Sequence, residues 1–178
     1  VRKAATAAAV LLIIEALLGA SLVLFSWVDA DISVGRMIAV PLHLTNTFFL
    51  LAALSLTAWW GSGNPEPAMH RSRDSAKWLP LGAATLLIVG STGALNAIAD
   101  AVFPADSVAS GISDEFGPTA PALLRLRIVH PVVAVSGGTF VAWIATKFAV
   151  SKSSTTRRLA GAVMLVVLSQ VFIGIANI

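Results

Sequence analysis

Apolar and polar positions along this chain fall into long blocks, without the short period of a strand or of a half-buried helix. Five apolar blocks run from about Ala4 to Val28, Met37 to Trp60, Trp78 to Ala101 and Leu123 to Phe148, and onward from Leu159. Each is about 20 residues or longer, the length an α-helix needs to cross roughly 30 Å of hydrocarbon, and none shows the weak alternation of a barrel strand. The pattern predicts an all-α polytopic membrane helix bundle with five transmembrane helices visible.

The polar residues inside those blocks carry the information. Glu15 lies near the middle of the first, where a carboxylate must be protonated, paired or turned to the bundle interior. Gly19 lies on its face, and Ala16 and Ala20 beside it make a flat surface for a neighbouring helix. In the second block Pro41 is expected in the first turn or two, His43, Thr47 and Leu50 share one face by the 3.6-residue period, and Trp59-Trp60 form an interfacial anchor. The third block has small residues at positions 82, 83, 90, 91, 93 and 94, suited to tight packing or to a flat ligand, and ends with Asn96 and Asp100 as i,i+4 partners. In the fourth, LLRLRIVHPVVAVSGGTFVAWIATKF, Arg125, Arg127 and His130 sit just inside one end and Pro131 is expected to kink the helix. The fifth contains Gln170 and Gly174.

Between the blocks, residues 61–77 form a polar connection in which His70, beside Arg71, reads as a solvated residue and not a metal ligand. Residues 102–122 form the longest loop, with Asp106, Asp114 and Glu115 and no periodic pattern of their own. Such a loop is usually functional or mobile, and this one leads straight into Arg125, Arg127 and His130, so it is a candidate lid. Nine of the twelve Lys and Arg residues fall on the side holding Arg2, Lys3, Arg71 and Lys147, against Arg36, Arg125 and Arg127 on the other. That bias places the N-terminus in the cytoplasm and the 102–122 loop outside. His43 and His130 then each lie about seven residues deep in the outer leaflet, roughly 10 Å at 1.5 Å per residue.

Composition agrees. Hydrophobic residues are 57% of the 178 and charged residues 12%, with mean hydropathy +0.85, far from the roughly 25% charge of a soluble domain. The pI near 10.0 comes from short loops that set orientation, and no nucleic-acid partner is read from it; the partner it implies is the lipid bilayer. There is no cysteine, which removes disulfides, thiolate metal sites and cysteine nucleophiles and leaves histidine as the strong nitrogen ligand for a transition metal or haem. Haem within a helical bundle needs axial imidazoles, small residues near the macrocycle and cations near the interface for its propionates. His43 and His130 supply the first, and Arg127, three residues before His130, is the better-placed cation, with Arg125 second. The alternative for both arginines is snorkelling to headgroups.

A faint repeat places a polar residue four before a glycine in spans one and five, as Glu15/Gly19 and Gln170/Gly174. If spans one and five are equivalent members of two halves, each visible histidine has its partner outside Val1 to Ile178. The start at Val1 and the stop inside an apolar run carry the same expectation, a piece of a longer protein.

At IEALLGASLVLF, HLTNTFFLLAALSLTAWW, GALNAIADAVFP and above all LLRLRIVHPVVAV, the sequence resembles the haem A synthase family of cytochrome oxidase assembly proteins. The resemblance covers nearly the whole chain. It implies a pseudo-symmetric eight-helix protein, four plus four, of which this chain resembles the third to seventh spans. Residues 1–60 would end the N-terminal half, 61–77 would be a cytoplasmic linker, and 78–178 would begin the C-terminal half. It further implies that His43 is an axial ligand of the N-terminal haem, the substrate site, and His130 of the C-terminal haem b. The family's catalytic glutamate would lie outside this chain, so the catalytic residue is not assigned, and the cysteine pair of some members is absent.

The expected activity is a haem-dependent oxidoreductase of the cell (inner) membrane that oxidises a methyl group of haem O to the formyl group of haem A for terminal oxidase assembly. Haem O synthase and oxidase assembly factors are its expected partners. The alternatives are a haem-binding electron-transfer or haem-handling membrane protein without chemistry on the porphyrin, and a small-solute transporter using Glu15 as a proton relay.

Overall fold

The computed structural model describes residues 1–64 and 73–176, and their regular structure is entirely helical. The order is α1 (Arg2–Leu24), α2 (Val34–Gly61), α3 (Arg73–Val102), α4 (Val108–Glu115), α5 (Ala122–Leu126), α6 (Val129–Ala149) and α7 (Ser154–Ala176). Among the described residues five stretches are long and apolar enough to cross a membrane: Arg2–Leu24, Val34–Gly61, Ala76–Val102, Ala122–Ala149 and Ser154–Gly174. The chain is a helical, multi-pass membrane protein, as the block pattern predicts.

Four details differ from the sequence expectation. The first helix stops at Leu24, not Val28, because the chain turns through Ser26 and Asp29 at φ of 56° and 54°. The second starts earlier, at Val34, where the Ser33 hydroxyl accepts the Arg36 N–H at 3.3 Å as an N-cap. Pro41 is therefore inside the helix and not in its opening turns. The fourth block is broken into α5 and α6 around Arg127 and Ile128, instead of being one kinked helix. Pro131 explains the break: it has no N–H for the Arg127 carbonyl and its ring crowds that carbonyl, whereas in the first turn of α6 it costs little. Lastly, the 102–122 loop contains a helix, α4, begun by a reciprocal pair in which Ser107 and Ser110 each accept the other's backbone N–H.

Lipid tails are as apolar as leucine, so spans associate through close approach of small residues and through buried polar bonds. Here α1 packs on α2, α2 on α3, α3 on α6 and α6 on α7. Leu12, Ile13 and Leu17 turn outward, while Ala8, Leu50 and Ala53, with Leu11, close the α1–α2 seam. The small residues of the third block serve packing: a Cβ at Gly90 would lie 2.7 Å from the Phe48 ring. Ile98, Ala99 and Leu123, with Met37 and Phe103, join the end of α3 to α5 and to the start of α2. At the opposite end of α3, Trp78, Phe140 and Trp143 cluster, with the Lys147 ammonium 4.1 Å from the Trp143 ring centre.

Candidate functional site

The 3.6-residue period puts His43, Asn46, Thr47 and Leu50 on the face of α2 that meets α1. Glu15, from the middle of α1, receives them. Its Oε2 accepts from Asn46 Nδ2 at 2.6 Å, its Oε1 accepts from the Thr47 hydroxyl, and Asn46 is anchored by a second bond to the Leu11 carbonyl at 2.9 Å. His43 Nδ1 lies 3.5 Å from the same Oε1. That nitrogen is shut off from solvent and has no hydrogen-bond partner among the described residues. Facing an ionised carboxylate, which can only accept, the neutral tautomer that fits is Nδ1–H, with the lone pair on Nε2. The side chain is 34% exposed, and with Nδ1 buried the open edge carries Nε2. Glu15, expected to be paired or interior, is paired.

His130 likewise turns Nδ1 to a polar side chain of the membrane span before it. Its Nδ1 is 3.1 Å from the Thr92 hydroxyl on α3, and that hydroxyl already donates to the Val89 carbonyl at 3.0 Å. A hydroxyl has one proton; with it on the Val89 carbonyl, the tautomer that fits is Nδ1–H, which leaves the lone pair on Nε2. Gly93 makes the approach possible, since a Cβ there would lie 3.0 Å from His130 Cε1; at Gly19 the corresponding distance to His43 Cε1 is 3.6 Å. The depths are similar, with His43 nine residues past Val34 and His130 eight past Ala122.

Arg127 and Arg125 are both engaged with the loop between α3 and α5. Arg127 Nε donates to Glu115 Oε1 at 2.6 Å, and its Nη1 to the Phe103 carbonyl at 3.1 Å and to Asp100 Oδ1 at 3.4 Å. Gly111 lets the guanidinium pass, because a Cβ there would lie 2.9 Å from Nη2. Arg125 Nη2 donates to the Gly117 and Pro118 carbonyls, each at 3.3 Å. Asp100 also accepts from Asn96 at 2.7 Å, as their spacing predicts. Arg127 thus ties α4 to the end of α3 beside His130, while its Nη2 makes no hydrogen bond to a described residue.

Thr92 and Asn46 are the residues that sequence reasoning missed. Asn46 was detectable, being three residues beyond His43 and so on its face; Thr92 was not, since a threonine in a small-residue span has no distinctive spacing. His70 lies outside the described residues. No group of three His, Asp or Glu side chains that could hold a metal ion occurs among the described residues. With no cysteine in the chain, the arrangement offers single imidazole nitrogens, the donor type of a haem iron and not of a closed protein metal site.

All 178 residues match the COX15-CtaA family, described as cytochrome oxidase assembly protein. The chain belongs to that family. The resemblance to haem A synthase read from the four sequence stretches therefore holds over residues 1–178 of this assembly-family chain. Two proteins of Thermus thermophilus, from two different strains and each named protoheme IX farnesyltransferase, are 38% identical to it over 168 residues. The match covers 94% of this chain and 28% of each relative, so the chain spans a little over a quarter of the curated relatives it matches. No solved structure matches it.

Proposed function

We propose that the protein to which this chain belongs is a haem A synthase-like oxidoreductase, converting the methyl group of haem O to the formyl group of haem A, with haem b as the second, electron-transferring haem. The observation that carries this reading is the matched state of the two imidazoles. Each has Nδ1 turned to a polar side chain of the preceding membrane span, at 3.1 Å for His130 and 3.5 Å for His43, with Nε2 left for a ligand, which is how protein-held histidines present themselves to a metal. Family membership supports the haem substrate.

The haem iron, when bound, supplies the redox chemistry. The chain's residues orient it and set its surroundings. His43, backed by α1, and His130, backed by α3, would hold the iron, each at its own haem in this reading. Arg127, through its uncommitted Nη2, and Arg125 are the cations nearest His130 for propionates at the outer surface. Four-plus-four architecture, cytoplasmic N-terminus and a cell-membrane location go with this reading, as do haem O synthase and oxidase assembly factors as partners.

One observation favours the second reading, haem handling without chemistry on the porphyrin: the matched relatives are named for farnesyl transfer to protoheme IX, not for oxidation. Expression of the whole protein in cells supplying haem O, followed by chromatography of the extracted pigment, separates the two. Haem A in the extract supports the oxidoreductase; unchanged haem O with bound b-type haem supports haem handling.

A further inference from the structure

Glu15 sits at mid-span and takes no direct part in ligation. A carboxylate there is costly to insert, and joining α1 to α2 would need only neutral amides and hydroxyls. Yet three side chains on one face of α2 converge on it, at i, i+3 and i+4. Two of them, Asn46 and Thr47, hold the carboxylate by direct bonds, and Asn46 is itself pinned to the Leu11 carbonyl. The third is His43, whose buried Nδ1 faces Oε1 at 3.5 Å and has no other partner among the described residues. One turn further along α1, Gly19 leaves room beside Cε1 and Nε2, where a Cβ would stand at 3.6 and 3.9 Å. The carboxylate is fixed first, and the imidazole is presented to it.

The two histidines therefore differ in what stands behind them. His130 Nδ1 meets the uncharged Thr92 hydroxyl, whereas His43 Nδ1 meets an acid. A carboxylate accepting the Nδ1 proton raises the basicity of the ligating nitrogen more than a hydroxyl does, and a more electron-donating axial ligand favours the oxidised iron.

We infer that Glu15 is the positioning residue of the His43 site: its carboxylate receives the Nδ1–H of His43, directs Nε2 toward the macrocycle and lowers the potential of the haem that His43 holds. The inference rests on the haem reading above. It assigns Glu15 no contact with substrate and no proton relay.

The test uses the whole haem-loaded protein in detergent, as wild type, Glu15→Gln, Glu15→Ala and Thr92→Val, with potentiometric titration and low-temperature electron paramagnetic resonance of each haem. Glu15→Gln keeps the shape and an acceptor oxygen. The expected result is retained low-spin haem at both sites, an upward shift in the potential of the His43 haem alone, and a larger shift with a changed low-spin signal in Glu15→Ala. Thr92→Val should move only the other haem. A merely structural tie predicts lower thermal stability with both potentials unmoved in Glu15→Gln, and that result overturns the inference. If Glu15→Ala does not accumulate, the isosteric Glu15→Gln decides. The haem reading fails separately, by absence of haem from the wild type or by a His43→Ala spectrum identical to wild type, and the inference then falls with it.

Discussion

The Thr92 hydroxyl lies 3.1 Å from His130 Nδ1 and 3.0 Å from the Val89 carbonyl, so an uncharged side chain faces the inner nitrogen of this imidazole. Replacing Thr92 by valine keeps the volume and removes the acceptor. The orphaned N–H should cost about 1–3 kcal/mol, and haem affinity at this site should fall roughly 10–100-fold, as for loss of other outer-shell partners. Haem content against added imidazole, measured by absorbance, checks this.

The glycines beside the two rings should respond differently to one methyl group. At Gly93 a Cβ meets His130 Cε1 at 3.0 Å, and at Gly19 it meets His43 Cε1 at 3.6 Å, an ordinary contact. Gly93→Ala should displace the ring by a few tenths of an ångström and cost about 1–3 kcal/mol through overpacking; Gly19→Ala should leave both stability and spectrum close to wild type. Thermal unfolding in detergent with visible spectra separates the pair.

The Arg127 contacts are unequal in the same way. Glu115 is bonded at 2.6 Å with side-chain exposures of 12% and 9%, whereas Asp100 is 3.4 Å away and 53% exposed. Glu115→Ala should therefore cost about 2–4 kcal/mol by leaving a partly buried guanidinium short of its closest partner, and should release α4 to protease in the 102–122 loop. Asp100→Ala should cost under about 1 kcal/mol. Limited proteolysis of the two variants, compared with wild type, measures the difference.

How much of this was readable from sequence depends on the range of the interaction. The five spans follow from block length alone, and the pairing of Glu15 follows from the cost of a charge in hydrocarbon, so both are visible without a structure. The position of Pro41 within its helix hangs on a single hydroxyl, Ser33, and the break before His130 on how Pro131 resolves its clash with Arg127; both are local choices between near-equal alternatives. Arg127 was legible as a cation near His130, yet its bond to Glu115 spans a loop whose path no periodicity reports. Thr92 meets His130 only because Gly93 brings α6 against α3, a tertiary fact with no signal at Thr92 itself.

Orientation is testable without haem, because the chain has no cysteine of its own. Ser110→Cys, in α4, should react with an impermeant maleimide in intact cells, and Ser153→Cys, in the basic connection before α7, only after permeabilisation. Labelling of Ser153→Cys in intact cells reverses the assigned topology.

The central claim is that His43 and His130 ligate two different haems through Nε2. Its most direct measurement is the low-temperature spectrum of the whole protein, loaded with haem, as His43→Ala, His130→Ala and His70→Ala. The account predicts that the first two each abolish or shift one low-spin signal, a different one in each case, while His70→Ala matches wild type. Loss of the same signal in both would show a single haem shared between α2 and α6, and a change in His70→Ala alone would contradict the assignment of the sites.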